Sequence, residues 1–104
     1  MKFNFRRKRM ELRRSCYKSN QDALIAVNLA TNEQFILTID VPTYNLPSGE
    51  FAIKAWNAGK DLAEVVYNTG LFEDTRKRGT SEDGIIEFWI MRKPHKLTDI
   101  PPVT

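Results

Sequence analysis

Eight basic residues fall within the first 18 positions: Lys2, Arg6, Arg7, Lys8, Arg9, Arg13, Arg14 and Lys18. Glu11 is the only acid among them, so this segment carries +7, whereas the remainder has eight bases and twelve acids and carries −4. Guanidinium and ammonium groups at this density can neutralise several phosphates, and Phe3, Phe5 and Tyr17 lie among them as candidates to stack on bases. The chemistry implied is contact with a polyanion: RNA, DNA, or RNA held inside a ribonucleoprotein. The plainer reading is a solvated edge whose charge discourages aggregation.

Arg76, Lys77 and Arg78 form a second basic cluster, flanked by Glu73, Asp74, Glu82 and Asp83. Mutual pairing in a locally neutral loop is the expected outcome. The same acids do not have the spacing of a calcium loop, and no apolar pocket is foreseen that would shift a carboxylate toward acid–base work. Cys16 has arginines nearby that would favour its thiolate, yet the single histidine, His95, stands far off beside Pro94. No catalytic residue, metal-ligand set or cofactor motif is therefore assigned. Trp56, Trp89, Tyr44 and Tyr67 are the large aromatics suited to a partner surface. Trp56 and Trp89 are expected to share the sheet face opposite the helix; the alternative is a second small core beneath a loop at Tyr44.

These residues must be placed by a short list of elements. Ala58 to Asn68 is the expected helix, with Asn57 as candidate N-cap or, since Gly59 weakens the first turn, a start at Lys60-Asp61; Leu62, Val65, Val66 and Thr69 are its apolar stripe, and Gly70 its closing residue. Phe51–Trp56 before it and Ile85–Arg92 after it read as strands. If those two are adjacent, a right-handed crossover would make them parallel. Ala23 to Val41 reads as a hairpin around Thr31-Asn32-Glu33, with Asn32 able to take a positive φ. Pro42 to Gly49 and Glu73 to Gly84 read as loops, and Pro94 to Thr104 as a loose tail. Residues 1–20 are expected as a basic arm or edge strand, since Phe3 and Phe5 alternate with polar residues.

A chain of 104 residues with 41% apolar and 28% charged residues suits one modest domain. No stretch approaches the ~20 apolar residues of a bilayer span, and no apolar segment follows the basic start as in a secretory signal. One cysteine makes no internal disulfide, so the cytoplasm is the default expectation. The fold expected is α+β: a four- to five-stranded, mostly antiparallel sheet with one helix packed on one face, spanning 21–93.

Three stretches carry a resemblance: Leu46-Pro-Ser-Gly-Glu-Phe-Ala-Ile-Lys-Ala-Trp56, Phe72-Glu-Asp-Thr-Arg-Lys-Arg78 and Gly84-Ile-Ile-Glu87. Together they resemble small uncharacterised proteins of tailed phages and mobile elements. These have a Pro-x-Gly-Glu turn, a strand ending near a tryptophan, a short helix, and an acidic-Asp-Thr-basic segment before a Gly-initiated strand. The chain departs from that pattern at Thr75-Arg76-Lys77-Arg78, where relatives often have Thr-Gly-Arg-Arg, which argues against a tight turn at Arg76. The resemblance implies context rather than chemistry: a binding protein, not an enzyme, that occludes a functional surface of a host defence complex such as a CRISPR effector. Its partner would be a host protein or ribonucleoprotein, gripped by Arg6, Arg7, Arg9, Arg13 and Arg14 with Trp56 or Trp89 supplying apolar contact. The alternative is a stand-alone nucleic-acid-binding accessory protein using the basic segment.

Overall fold

The computed structural model describes residues 1–56 and 58–103. Its elements are β1 (Lys2–Phe5), β2 (Lys8–Cys16), β3 (Asp22–Asn28), β4 (Gln34–Ile36), β5 (Glu50–Lys54), α1 (Ala58–Tyr67), β6 (Phe72–Ser81) and β7 (Gly84–Met91). The α+β class is as the sequence implies, with a four-stranded antiparallel sheet, β1-β2-β3-β4, and a second sheet of three strands, β5-β7-β6.

The first sheet is a meander in which each strand pairs with the next. Alternation in β1 and β2 turns Phe3, Phe5, Met10 and Leu12 into the main core, where each is at most 7% exposed. Leu24 and Ala26 of β3 and Leu37 after β4 join them. Asn32 takes φ 65 in the connection from β3 to β4, a conformation asparagine accepts at little cost. Residues 37–39 then bridge the two sheets, Leu37 N–H still donating to Leu24 O of β3. Ile39 N–H donates to Ala52 O, and Lys54 N–H donates to Leu37 O.

In the second sheet β7 is the central strand and pairs antiparallel with both neighbours. The strands at 50–54 and 84–91 are thus adjacent but antiparallel, not the parallel pair that a direct crossover would give. The reason is an additional strand. The stretch 73–84, expected as a loop, is mostly β6, and it reverses the chain before β7 begins.

Helix α1 buries Leu62, Ala63 and Val66 against Phe51, Ile53, Phe72 and Trp89 of the second sheet and against the inner face of the first. Val65 is only partly buried and Thr69 is exposed, so the stripe sits slightly off the expected line. Asn57, the expected N-cap, lies outside the described residues. Gly70 closes the helix at φ 83, as its position suggests. Residues 94–103 are not a loose tail. Ile100 is fully buried in the main core, and Pro102 bridges Arg14 in parallel, with Arg14 N–H donating to Pro101 O and Val103 N–H to Arg14 O. Leu97 packs against the same core, so apolar contacts and backbone bonds together pin the segment.

Candidate functional site

The basic segment folds as the β1–β2 hairpin, and period-two alternation sorts its residues. With the phenylalanines, Met10 and Leu12 inward, Lys2, Asn4, Arg9, Glu11 and Arg13 face outward. Two residues, Arg6 and Arg7, connect the strands at φ 50 and φ 64. A two-residue hairpin turn with both φ values positive matches the twist of the strands, and Asn-Gly is its usual sequence. Arginine in that conformation crowds its Cβ against the next carbonyl, at a cost of about 1–2 kcal/mol per residue. The hairpin tip is a strained display of two adjacent guanidinium groups.

Several of the cations are already engaged within the molecule. Arg6 Nη2 lies 2.7 Å from Asp61 Oδ2 at the start of α1, and its guanidinium rests 4.9 Å from the Phe5 ring. Lys8 approaches Glu33 loosely, at 4.0 Å, and covers the Phe35 ring. Arg13 Nε donates to Glu11 Oε1 at 2.8 Å. That bond, opposed by desolvation, holds the Glu11 carboxyl below its usual pKa. Arg14 turns inward and donates to Ile100 O at 2.8 Å. Arg7 and Arg9 have no acidic partner among the described residues; Arg9 donates only to Asn4 Oδ1, at 3.3 Å. Behind them the outward face continues through Arg13, Ile25 and Ile36, which pair in one row, and Ile36 is 49% exposed.

Arg76, Lys77 and Arg78 lie in the other sheet, and no hydrogen bond or ion pair among the described residues joins them to the hairpin. They occupy a bulge in β6, where the register slips between Asp74 and Arg78 and three residues stand opposite Phe88. Arg76 takes φ 68, so the tight turn that its side chain argued against is present. Asp74 makes this possible by accepting Arg76 N–H at 2.7 Å, while Thr75 Oγ1 accepts Lys77 N–H and donates to Phe88 O. Arg78 grips both Asp74 oxygens, at 2.7 and 2.9 Å. Its guanidinium keeps the Asp74 carboxyl below its usual pKa, and the carboxylate in turn raises that of Arg78. Lys77 Nζ sits 2.6 Å from Glu50 Oε1. Apart from Arg76, the cluster is spent internally, but of the flanking acids only Asp74 takes part; Lys77 reaches the distant Glu50 instead.

The two tryptophans do not share a face. Trp89 is 2% exposed and packs on the helix side against Tyr67 and Phe72, with ring centroids 5.1 and 5.7 Å away. It belongs to the core and cannot supply the exposed apolar contact expected of it. Trp56 is half-buried on the opposite side, in a second cluster with Val41, Ala52, Ile86, Phe88 and Tyr44. The sequence misled here because strand parity was counted without the β7 register, which pairs Trp89 with Phe51 of the helix face.

Sequence reasoning passed over the cleft between α1 and the β6–β7 ribbon, lined by Lys60, Glu64, Tyr67, Asp74, Glu87 and Trp89. Its one linear signal was Glu87, the single charge in the apolar run Ile85–Met91. Among the described residues no three His, Cys, Asp or Glu side chains are grouped to hold a metal ion, and no helix is long and apolar enough to cross a membrane. The chain matches no protein-family model, and no curated protein and no solved structure matches it at a significant level.

Proposed function

We propose that the chain is a non-enzymatic binding protein whose β1–β2 hairpin grips the phosphates or acidic surface of a host nucleoprotein complex. The observation that carries this reading is the Arg6-Arg7 turn. Strained backbone at an exposed tip, with Arg7 and Arg9 free of acidic partners among the described residues, is the pattern of residues kept for contact rather than for stability. The resemblance to small phage and mobile-element proteins supports a host defence complex as the target, blocked by occlusion.

The outward cations Lys2 and Arg9 beside the Arg7 tip favour a second reading, a stand-alone nucleic-acid-binding accessory protein. A salt series separates the two. Binding of free single- and double-stranded RNA and DNA is measured from low to physiological salt. Micromolar or tighter affinity with a steep salt slope supports the accessory role. Negligible binding to free nucleic acid, with salt-sensitive retention by an RNA-containing host complex, supports the inhibitor. In either case Arg7→Gln with Arg9→Gln should weaken binding at least about tenfold and flatten the salt slope by roughly two. Undiminished binding by that variant overturns both.

A further inference from the structure

The cleft between α1 and the β6–β7 ribbon encloses about 300 Å³. That is the lower end for small-molecule sites and suits one long side chain or a compact ligand. Tyr67, half-buried, forms its aromatic wall, with the buried Trp89 ring packed 5.1 Å from it and reaching the cleft only at its edge. Glu64 stands at the helix lip and Glu87 on the strand floor, with Lys60 the only cation among the lining residues.

Glu87 is the unusual member. It occupies the central strand of the sheet, where a carboxylate loses hydration and an apolar residue would be the ordinary choice. Among the described residues its side chain accepts one hydrogen bond, from Trp89 Nε1 to Oε1 at 3.1 Å. Arg78 is its cross-strand neighbour and feels its charge, but both Nη atoms are bound to Asp74 and no hydrogen bond joins Arg78 to Glu87 among the described residues. The indole therefore fixes the carboxylate's orientation while leaving acceptor capacity open beside an aromatic wall.

We infer that this cleft is a binding site for a guanidinium or ammonium group on an alkyl stem. The stem would lie along Ala63 and Tyr67, and the cation would meet Glu87 and Glu64 at the edge of the aromatic wall. Carboxylate and aromatic ring are complementary to one cation in different ways, one by charge-assisted hydrogen bonding and the other through the ring quadrupole. An anion or a metal ion finds no such combination here. The cleft shares no residue with the hairpin, so binding here does not depend on what the hairpin grips.

The Trp89 indole N–H gives a direct readout, because it donates to the carboxylate that would take up the ligand. Its cross-peak in a ¹⁵N–¹H spectrum, assigned with Trp56→Phe, is followed while agmatine, N-acetyl-arginine amide or N-acetyl-lysine amide is added to the whole chain. N-acetyl-citrulline amide, of the same shape without the charge, is the control. The expected result is a saturating shift with Kd on the order of 1 mM or tighter for at least one cation and none for citrulline. Preference for the capped amino acids identifies a partner's Arg or Lys side chain as the occupant; preference for agmatine identifies a free amine. Glu87→Gln should weaken binding by about tenfold or more, and Glu64→Gln, at the exposed lip where folding is not at stake, by about threefold. Linear shifts, equal response to citrulline, or unchanged affinity in both variants overturns the assignment.

Discussion

Lys77 Nζ lies 2.6 Å from Glu50 Oε1, and the two side chains differ sharply in exposure, 62% against 3%. Among the described residues no well-aligned hydrogen bond reaches that oxygen, so the contact is Coulombic. A carboxylate buried at the start of β5 thus depends on an ammonium reaching over from the β6 bulge. Removing the lysine strands a buried charge, which costs more than an exposed ion pair is worth. Lys77→Met should destabilise the protein by about 1–3 kcal/mol in urea unfolding, with Lys77→Arg much milder. Adding Glu50→Gln to Lys77→Met should recover most of the loss. If the double variant is no better than Lys77→Met alone, the lysine is not compensating the carboxylate.

The hairpin tip makes the opposite prediction. Replacing Arg6-Arg7 by Asn-Gly removes two left-handed arginines at about 1–2 kcal/mol each and sacrifices one exposed ion pair worth up to about 1 kcal/mol. The variant should melt a few degrees higher than the natural sequence while losing its grip on the anionic partner. A lower melting temperature would mean that the turn is not strained in the sense argued.

Only part of the first sheet is legible in the sequence: Phe3 and Phe5 alternate as in a strand and the 23–41 stretch reads as a hairpin, but the dense charge around Met10 and Leu12 hides β2 inside what reads as a single basic arm. β6 is not legible. It is an edge strand whose bulge breaks the period, so between Phe72 and Gly79 nothing apolar faces inward, and Glu-Asp-Thr-Arg-Lys-Arg reads as loop. Missing it misdirects the β5–β7 pairing and conceals one wall of the cleft. Glu64, Asp74 and Glu87 look like unrelated surface acids until β6 and α1 are set on either side of β7. The free tip cations were visible as charge, but their separation from the paired ones depends on Asp61 and Glu33, which are distant in sequence.

Asp74 should make the bulge acid-labile. Its folded-state pKa is depressed, chiefly by Arg78, so its stabilising contribution is present above the ordinary aspartate value of about 3.9 and is lost as pH falls through the lower folded value. Melting temperatures of the natural protein and Asp74→Asn should therefore differ most near neutrality and converge below about pH 4. A gap that stays constant through the acid range would assign the difference to the amide's own packing rather than to the carboxylate.

Gly79 offers a test of the second cluster. It pairs with Ile86, and a Cβ built on it would stand 2.7 Å from Tyr44 Oη and 2.9 Å from Cζ. That hydroxyl also accepts Thr80 N–H at 3.2 Å, so the ring cannot withdraw without breaking the bond that ties the 42–49 loop to β6. Gly79→Ala should destabilise by about 1–3 kcal/mol through this clash. Tyr44→Leu in the same chain removes the obstructing atoms and should relieve part of the loss, whereas Tyr44→Leu alone should destabilise by vacating space over Phe88. The sign of the coupling decides the matter: strictly additive effects would show that the tyrosine is not seated against β6 and that the 42–49 loop does not cover the sheet.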